Sequence, residues 1–344
     1  MDSLERFIAT IENRPVDRPA SWLGIPADSA LPGLYKYFGV EDMVGLKAAV
    51  GDDIWAVDVP YNHPPANHVA CAFDFAKEDS SISIEERTLT SPGFFEDQTD
   101  PACVADFSWP DPAEHIDPAA CLRAVEEVPE GYVKMGILWA AHFQDACAAF
   151  GMGNALMTML TEPEMFQAVI DRIVEFYLDA GEIFYSATRG KLDAVLIGND
   201  FGSQNGLMVA PDHLRQYVFA GTRKIIDQAK SHGLRVMHHS CGAIHEIIPD
   251  LVELGADCIH PIQALAKGME PQMLKDDFGG KTSFCGGVDA QDLLVNGTPE
   301  QVREKVRELK RIFPTGLVIS PSHEAILPDI DPANVEALFD AVRG

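Results

Sequence analysis

Residues 234–242 spell Leu-Arg-Val-Met-His-His-Ser-Cys-Gly, and a helical pattern follows over residues 243–252. The apolar start predicts a β-strand, and the polar residues stand where that strand would end. His239 and Cys241 lie two residues apart, so they can bring an imidazole and a thiol to one small patch. Such a pair suits a borderline-soft cation such as Zn²⁺. A buried cysteine beside a hydrogen-bonded histidine is the structural alternative.

The same succession of a short strand and a helix recurs along most of the chain. Helical patterns over residues 146–160, 212–232 and 244–254 separate successive strands. Alternating strands and helices imply parallel pairing, and eight strands imply closure into a (β/α)8 TIM barrel of the α/β class. No Gly-x-Gly-x-x-Gly follows a strand, which argues against an open sheet with a dinucleotide site. The predicted strands are residues 20–25, 54–59, 132–138, 194–197, 235–239, 257–260, 282–285 and 316–320.

One segment interrupts this succession after the second strand. Alternating apolar and polar residues at 81–85, followed by turn-forming residues at 90–93, predict an inserted β-hairpin. We therefore expect a single domain over residues 1–344, with an insertion at about 61–115.

The composition limits the classes of partner and the compartment. The chain of 344 residues has a net charge of −27 and no basic cluster, which argues against nucleic acids and anionic membrane surfaces. An acidic N-terminus does not resemble a signal peptide, and no apolar run approaches the length of about 18 residues that a membrane span needs. Seven scattered cysteines fit a reducing compartment, so we expect a cytoplasmic protein.

A (β/α)8 barrel carries its active site at the carboxyl ends of its strands. Here those ends hold nitrogen, sulfur and oxygen donors, enough for a tetrahedral metal site with an open position, as a catalytic zinc requires. The polar or aromatic residues at or just beyond the strand ends are Trp139, His142, Asp200, Gln204, His239, Cys241, His260, Gln263, Cys285, Asp289 and His323.

Several of these residues also fit structural roles. Asp200 lies in Asn-Asp-Phe-Gly, a sequence that favours a turn. Asp289 can cap the helix after the seventh strand. His142 and His260, taken singly, fit hydrogen-bonded structural histidines, and Cys285 fits a buried core position.

Short motifs in the second half of the chain resemble the uroporphyrinogen decarboxylase-like superfamily, and within it the branch of cobalamin-dependent methyltransferases. The first half matches only loosely. The motifs are Gly-Asn-Asp-Phe-Gly-Ser-Gln (198–204), His-Ser-Cys-Gly (239–242), Ile-Pro-Asp-Leu (248–251), His-Pro-Ile-Gln (260–263), Gly-Gly-Val-Asp-Ala-Gln (286–291), Gly-Thr-Pro-Glu (297–300) and Ser-Pro-Ser-His (320–323).

This resemblance implies a one-domain (β/α)8 barrel with a zinc site. His239 and Cys241 match the His-x-Cys pair that binds zinc in the methyltransferases. In the methyltransferases the third zinc ligand is a cysteine after the last strand, and this chain has His323 at that position. The decarboxylases carry a substrate-contacting histidine near the same position. The identity of the third ligand therefore stays open. Residues 20–27 contain no arginine cluster of the kind that grips tetrapyrrole carboxylates in the decarboxylases.

The sequence thus predicts a zinc-dependent methyltransferase. It would move a methyl group between a small methoxy, amine or thiol compound and a corrinoid (cobalamin) cofactor or a corrinoid-binding protein. The alternatives are a decarboxylase of a small or tetrapyrrole acid, and a non-catalytic barrel that binds a corrinoid or tetrapyrrole. The predicted roles are zinc ligation by His239, Cys241 and His323, catalysis by Asp200, His260 and Gln204, and substrate binding by Trp139, His142, Gln263 and Asp289.

Overall fold

The computed structural model describes residues 1–62, 68–77, 82 and 86–344. Within these ranges seven strands form one curled parallel sheet, and their spatial order follows the chain. The predicted α/β class and parallel pairing are therefore confirmed. The strands are β1 (Ile54–Asp58), β2 (Val133–Trp139), β3 (Ala194–Gly198), β4 (Arg235–His239), β5 (Cys258–Ile262), β6 (Ser283–Val288) and β7 (Leu317–Pro321).

Helices connect successive strands, as parallel pairing requires. Several begin with a proline in the first turn behind a side chain that caps the helix, as Thr298 does at Pro299–Ile312. None of the helices in the described ranges is long and apolar enough to cross a membrane. The helices are α1 (Ser3–Ile11), α2 (Leu31–Phe38), α3 (Met43–Val50), α4 (Pro112–His115), α5 (Pro118–Glu126), α6 (His142–Phe150), α7 (Met152–Thr161), α8 (Pro163–Ala187), α9 (Pro211–Tyr217), α10 (Phe219–Ser231), α11 (Ile248–Leu254), α12 (Pro271–Phe278), α13 (Leu293–Asn296), α14 (Pro299–Ile312) and α15 (Pro332–Arg343).

Side chains alternate along each strand, so the sheet has two apolar faces. The larger core packs one face against the helices. Cys285 lies fully buried in the smaller core, with its Sγ 3.4 Å from Ser320 Oγ, so it occupies the structural position that the sequence allowed. The smaller core contains Ile54, Val133, Met135, Ile137, Ala194, Leu196, Met237, Cys258, Cys285 and Val318.

The first predicted strand, residues 20–25, forms only a single parallel bridge, between Ser21 and Ile319 of β7. On its other side the Ser21 carbonyl accepts the backbone N–H of Asp53, just before β1. Beyond this bridge the backbone is irregular: Gly24 has a φ of +84°, and a Cβ added there would lie 2.2 Å from the Glu324 carbonyl oxygen. The prediction of a full strand was therefore wrong, although the segment does lie along β7.

Two predicted helices are each divided in the structure. The run over residues 146–160 divides at Gly151, whose φ of +78° is incompatible with a continuing helix. The run over residues 212–232 divides at Val218, between α9 and α10. A third, over residues 244–254, begins as a 3-10 turn at His245–Ile247 before α11. Apolar periodicity predicted the helical segments but missed these breaks.

The segment at 61–115 packs mainly through aromatic rings. Phe75, Phe107 and Trp109 contact one another, with ring centroids 4.8–6.0 Å apart. Phe73 joins them to Phe176 of α8, with centroids 4.7 Å apart. The described residues of this segment contain no strand. Of the predicted hairpin at 81–85, only Ile82 is described, so the hairpin stays a prediction.

A buried ion-pair network ties the N-terminal segment to the start of β1. Asp53 accepts hydrogen bonds from Arg6 Nη1 at 2.7 Å and from Arg18 Nη1 and Nη2 at 2.7 and 2.9 Å. The backbone N–H of Ser21 donates to the same carboxylate at 2.9 Å. Because Asp53 is fully buried, removing its charge would leave Arg6 with a partly unpaired charge in a low-dielectric site.

We expect Asp53→Asn to lower the free energy of unfolding by about 3–5 kcal/mol, the usual cost of breaking a buried pair. Asp212, which pairs with Arg215 but is almost fully exposed, provides the control. Asp212→Asn should cost at most about 1 kcal/mol, because solvent screens surface pairs. Urea unfolding curves of the two variants check this, and similar small losses would contradict it.

Candidate metal centre

Asp200 is held between two elements at the carboxyl end of the sheet. It lies just after β3, and its Oδ1 accepts the backbone N–H of Cys241 at 2.8 Å. Gln144 of α6 holds the residue from the other side: its Oε1 accepts the Asp200 N–H at 2.9 Å, and its Nε2 donates to Oδ2 at 3.2 Å. The carboxylate is therefore fixed in position before any ligand binds.

Two glycines allow the loops after β3 and β4 to come this close. Gly242 has a φ of +85°, and an added Cβ would lie 2.4 Å from the carbonyl carbon of Gly202. A Cβ on Gly202 would lie 2.8 Å from the carbonyl oxygen of Cys241. Neither backbone can move aside cheaply, so these positions require glycine.

His239, at the end of β4, faces Asp200 and Cys241 with one ring nitrogen. Its Nε2 lies 3.2 Å from Asp200 Oδ1 and 3.4 Å from Cys241 Sγ. One atom from each residue falls within a group whose members all lie within 4.8 Å of one another. The structure thus brings an imidazole nitrogen, a thiol sulfur and a carboxylate oxygen to one point.

The other ring nitrogen of His239 faces inward. Its Nδ1 lies 2.9 Å from Nδ1 of His260 on β5 and 3.4 Å from Oε2 of Glu324. Glu324 follows β7 and is largely buried, and its Oε2 makes no hydrogen bond within the described residues. These three residues form a second group of possible metal ligands. His239 belongs to both groups, through opposite sides of its ring.

The surroundings of His239 favour positive charge. Burial acts to lower the pKa of His239, but the charge of Glu324 and the hydrogen bond to Asp200 outweigh it and hold that pKa well above its ordinary value. Burial acts to raise the pKa of Asp200, yet contact with His239 lowers it to about 2. Burial, and then the charge of His239, lower the pKa of His260 well below its usual range. His260 is therefore neutral and accepts the proton that His239 Nδ1 donates.

The donors around Nε2 fit a tetrahedral zinc site. Zinc–nitrogen and zinc–oxygen bonds of about 2.0–2.2 Å and zinc–sulfur bonds of about 2.3 Å place neighbouring ligand atoms roughly 3.3–3.6 Å apart. The observed separations from Nε2 are 3.2 Å to Asp200 and 3.4 Å to Cys241. Burial acts to raise the pKa of Cys241, but hydrogen bonds with His239 and His323 outweigh it and lower that pKa, which favours the ligating thiolate. On the Nδ1 side, His260 is at hydrogen-bond distance and orients the ring.

His323 lies beside this centre but in neither group of ligand atoms. Its ring centroid is 6.2 Å from that of His239, and its Nδ1 is 3.5 Å from Glu324 Oε2. The backbone N–H of Ala325 donates to that Nδ1 at 3.0 Å, which leaves Nε2 for another partner. Contact with Cys241 raises the pKa of His323, but an imidazolium would lose the bond from Ala325. The hydrogen bond therefore selects the neutral ring.

Trp139 completes the near surroundings of His239. Its ring stands edge-on to that of His239, with centroids 5.3 Å apart and an interplanar angle of 82°. Trp139 and Ala140 have φ values of +60° and +58°, a left-handed conformation that is strained for residues other than glycine. Backbone strain at the end of β2 thus accompanies the placement of the indole over the site.

The remaining predicted residues lie farther from His239 or have other partners. His142 is buried, with its ring nitrogens 3.0 and 3.4 Å from the carbonyls of Ala140 and Val218. Asp289 accepts the backbone N–H groups of Asp292 and Leu293, both at 2.8 Å, and so fixes the turn after β6. The substrate-binding roles predicted for His142 and Asp289 stay predictions.

Two predicted glutamines lie at the rim of the site. Gln263 Oε1 accepts the backbone N–H of Gly242 at 2.6 Å, so it supports the loop that carries Cys241. Gln204 is exposed and donates through Nε2 to Gln291 at 3.3 Å. Their predicted roles in substrate binding and catalysis are compatible with these positions and stay predictions.

Sequence reasoning missed Glu324 and Gln144. Glu324 directly follows His323, so its place after the last strand was a usable signal. Gln144 gave no such signal, because its contact with Asp200 depends on how α6 approaches the loop after β3.

The comparison with known proteins identifies the family. The model of the uroporphyrinogen decarboxylase (URO-D) family matches residues 81–344, and the chain belongs to this family. The match includes all the residues of the metal centre described above. The resemblance noted in the sequence motifs is confirmed.

Individual relatives are distant. The methylated-thiol–coenzyme M methyltransferase of Methanosarcina mazei is 24% identical over 261 residues, which are 71% of this chain and 66% of that protein. The uroporphyrinogen decarboxylase of Cereibacter sphaeroides is 24% identical over 187 residues, or 54% of this chain and 51% of that protein. The chain thus spans about two thirds of the first relative and about half of the second.

A solved structure shares the fold along nearly the whole chain. It is a methyltransferase from Methanosarcina mazei, with a TM-score of 0.69 and 17% sequence identity. The match covers 99% of this chain and 98% of that one. The two proteins therefore have the same architecture.

We expect Gly242→Ala to destabilise the protein more than Gly39→Ala. Both glycines have a left-handed φ, but nothing lies within 4 Å of a Cβ added at Gly39. Gly39→Ala should therefore cost only the conformational strain, about 1–2 kcal/mol. Gly242→Ala should cost clearly more, because its methyl group would force the loops after β3 and β4 apart. Chemical unfolding measures both, and equal losses would contradict the close contact.

Proposed function

We propose that this member of the URO-D family is a zinc-dependent methyltransferase. It would move a methyl group between a small methylated compound (methoxy, amine or thiol) and a corrinoid cofactor or corrinoid-binding protein. The main support is the group formed by Asp200, His239 and Cys241, whose oxygen, nitrogen and sulfur donors lie within 4.8 Å of one another. The similarity to a methylated-thiol methyltransferase supports the type of reaction.

In this proposal residues 1–344 form one domain, a closed (β/α)8 barrel. The short segment at residues 20–22 would take the place of the eighth strand. It donates from the Trp22 N–H to the Ile319 carbonyl at 3.1 Å and accepts from the Asp53 N–H at 3.2 Å. These bonds link β7 to the start of β1, the two edges of the seven-stranded sheet.

Asp200, His239 and Cys241 would hold the metal, with Asp200 in the place that the sequence assigned to His323. A bound zinc ion supplies Lewis acidity, which lowers the pKa of a substrate thiol or polarises a methoxy oxygen. His260 would keep the His239 proton on Nδ1, so that Nε2 is free to bind the metal. His323 would stand at the open position, beside the substrate.

The charges around the site weigh against a tetrapyrrole substrate. Asp200 Oδ1 lies 3.2 Å from Nε2 of His239, and Glu324 Oε2 lies 3.4 Å from its Nδ1, so two carboxylates stand next to this ring. Acidic side groups of a tetrapyrrole would meet like charge at this position. A small substrate with few or no negative charges fits better.

Metal analysis combined with a methyl-transfer assay tests the proposal. Purified protein should contain about one zinc ion per chain, as a single tetrahedral site requires. Mixed with cob(I)alamin and a panel of methoxy, methylamine and methylthiol compounds, it should form methylcobalamin, followed by absorbance. His239→Ala and Cys241→Ala should each lose the zinc and the activity, because each removes a ligand.

Cys103→Ala and His213→Ala are matched controls, since neither residue belongs to the metal groups within the described ranges. Both variants should keep full zinc content and activity. Zinc that is absent from the native protein, or retained in both His239→Ala and Cys241→Ala, would show that the proposal is wrong.

A second pair of variants separates the two possible third ligands. We expect Asp200→Asn to weaken zinc binding by at least about ten- to a hundred-fold, the range seen even for residues that only support metal ligands. His323→Gln should weaken it less, because His323 lies outside the group of close donor atoms. Competition with a zinc-chelating dye measures both affinities. A larger loss in His323→Gln would return the third-ligand role to His323.

A further inference from the structure

A cavity of about 240 Å³ lies next to the metal centre, between the loops that follow β5, β6 and β7. His323 forms part of its wall and also contacts Glu324, which in turn lies 3.4 Å from His239. A molecule in the cavity would therefore be separated from the metal centre by one side chain. The volume equals roughly eight water molecules, each occupying about 30 Å³, and suits a small organic molecule.

One side of the cavity is apolar. Ala290, Ala325, Leu327 and Ile330 line it, and none of the residues that line the cavity is a lysine, arginine, aspartate or glutamate. A charged ligand group would lose its hydration there without gaining an opposite charge. The wall therefore favours a compact uncharged body.

The polar residues of the cavity are arranged as hydrogen-bond donors. The Oε1 atoms of Gln263 and Gln291 already accept from Gly242 N–H at 2.6 Å and from Gln204 Nε2 at 3.3 Å. The Ser322 Oγ accepts the backbone N–H of Ala290 at 3.0 Å. No described residue accepts from either amide NH₂ group or from the serine hydroxyl. These three groups can donate to acceptor atoms on a ligand.

We infer that this cavity binds the substrate and that it selects small uncharged molecules with acceptor oxygens, such as neutral methoxy compounds. The identification of the ligand as the substrate rests on the proposed function, but the existence of the binding site does not. Gln263, Gln291 and Ser322 donate to the ligand oxygens, and the apolar wall holds the remaining carbon atoms. Leu327 is half exposed and adds no positive charge that could attract an anionic analogue.

Binding to the purified protein as isolated, followed by calorimetry in the absence of corrinoid, tests this inference. The probes are 2-methoxyphenol and 3-methoxybenzoate, which are similar in size and differ in charge. We expect the neutral probe to bind at least ten-fold more tightly. Ala325→Leu should reduce that binding at least ten-fold by filling the cavity, with its zinc content unchanged.

A charge-reversal pair controls for the acidity of the whole chain. Leu327→Arg should increase the affinity for 3-methoxybenzoate at least ten-fold. Met157→Arg adds the same charge at an exposed position on α7 that does not line the cavity, and it should leave both affinities unchanged. Equal binding of the two probes, no binding of the neutral probe, or an unaltered affinity in Ala325→Leu would overturn the inference. Loss of methyl transfer with these binding results intact would instead count against the proposed function alone.

Discussion

The hydrogen bond from the Cys241 backbone N–H to Asp200 Oδ1, at 2.8 Å, joins the loops after β3 and β4 at the candidate metal centre. It places a carboxylate beside a thiol that comes from a different strand. Gly202 and Gly242 make the bond possible, because side chains at either position would hold the two backbones apart. Gln144 then fixes the same carboxylate from α6. Most of this preorganisation comes from backbone groups, which do not have to be reordered when a ligand binds.

Electrostatics explain why a cation suits this position. Asp200, Glu324 and Cys241 surround one buried histidine, and together they overcome the cost of burying its positive charge. A divalent cation at Nε2 of His239 would compensate the negative charges of Asp200, Glu324 and Cys241, since it adds positive charge where Asp200 and Cys241 converge. The lowered pKa of His260 keeps that ring neutral, so it can accept from Nδ1 without competing for the charge.

The sequence predicted most strands and most residues of the candidate metal centre, but it missed Glu324 and Gln144 and gave less of the geometry. Polar residues after apolar runs identified Asp200, His239, Cys241, His260 and His323, because the carboxyl ends of parallel strands meet at one edge. The same reasoning predicted a full strand at residues 20–25, where the structure has a single bridge at Ser21 and an irregular backbone at Gly24. It also predicted continuous helices across Gly151 and Val218. The apolar periodicity continues through both positions, but the helical conformation of the backbone is interrupted there. Periodicity reports which face is buried and is insensitive to such local breaks.

By itself, then, the sequence determined the α/β class, the parallel order of the strands and the family, because periodicity and short motifs are local properties of the chain. It also determined which chemical groups would gather at the carboxyl edge of the sheet. Only the tertiary structure decided which atoms meet there: Asp200 lies with His239 and Cys241, and Glu324 lies on the opposite side of the same imidazole. His323 contacts Cys241 beside them. The physical reason is that these distances depend on how closely separate loops approach. That approach is set by packing between residues far apart in the chain.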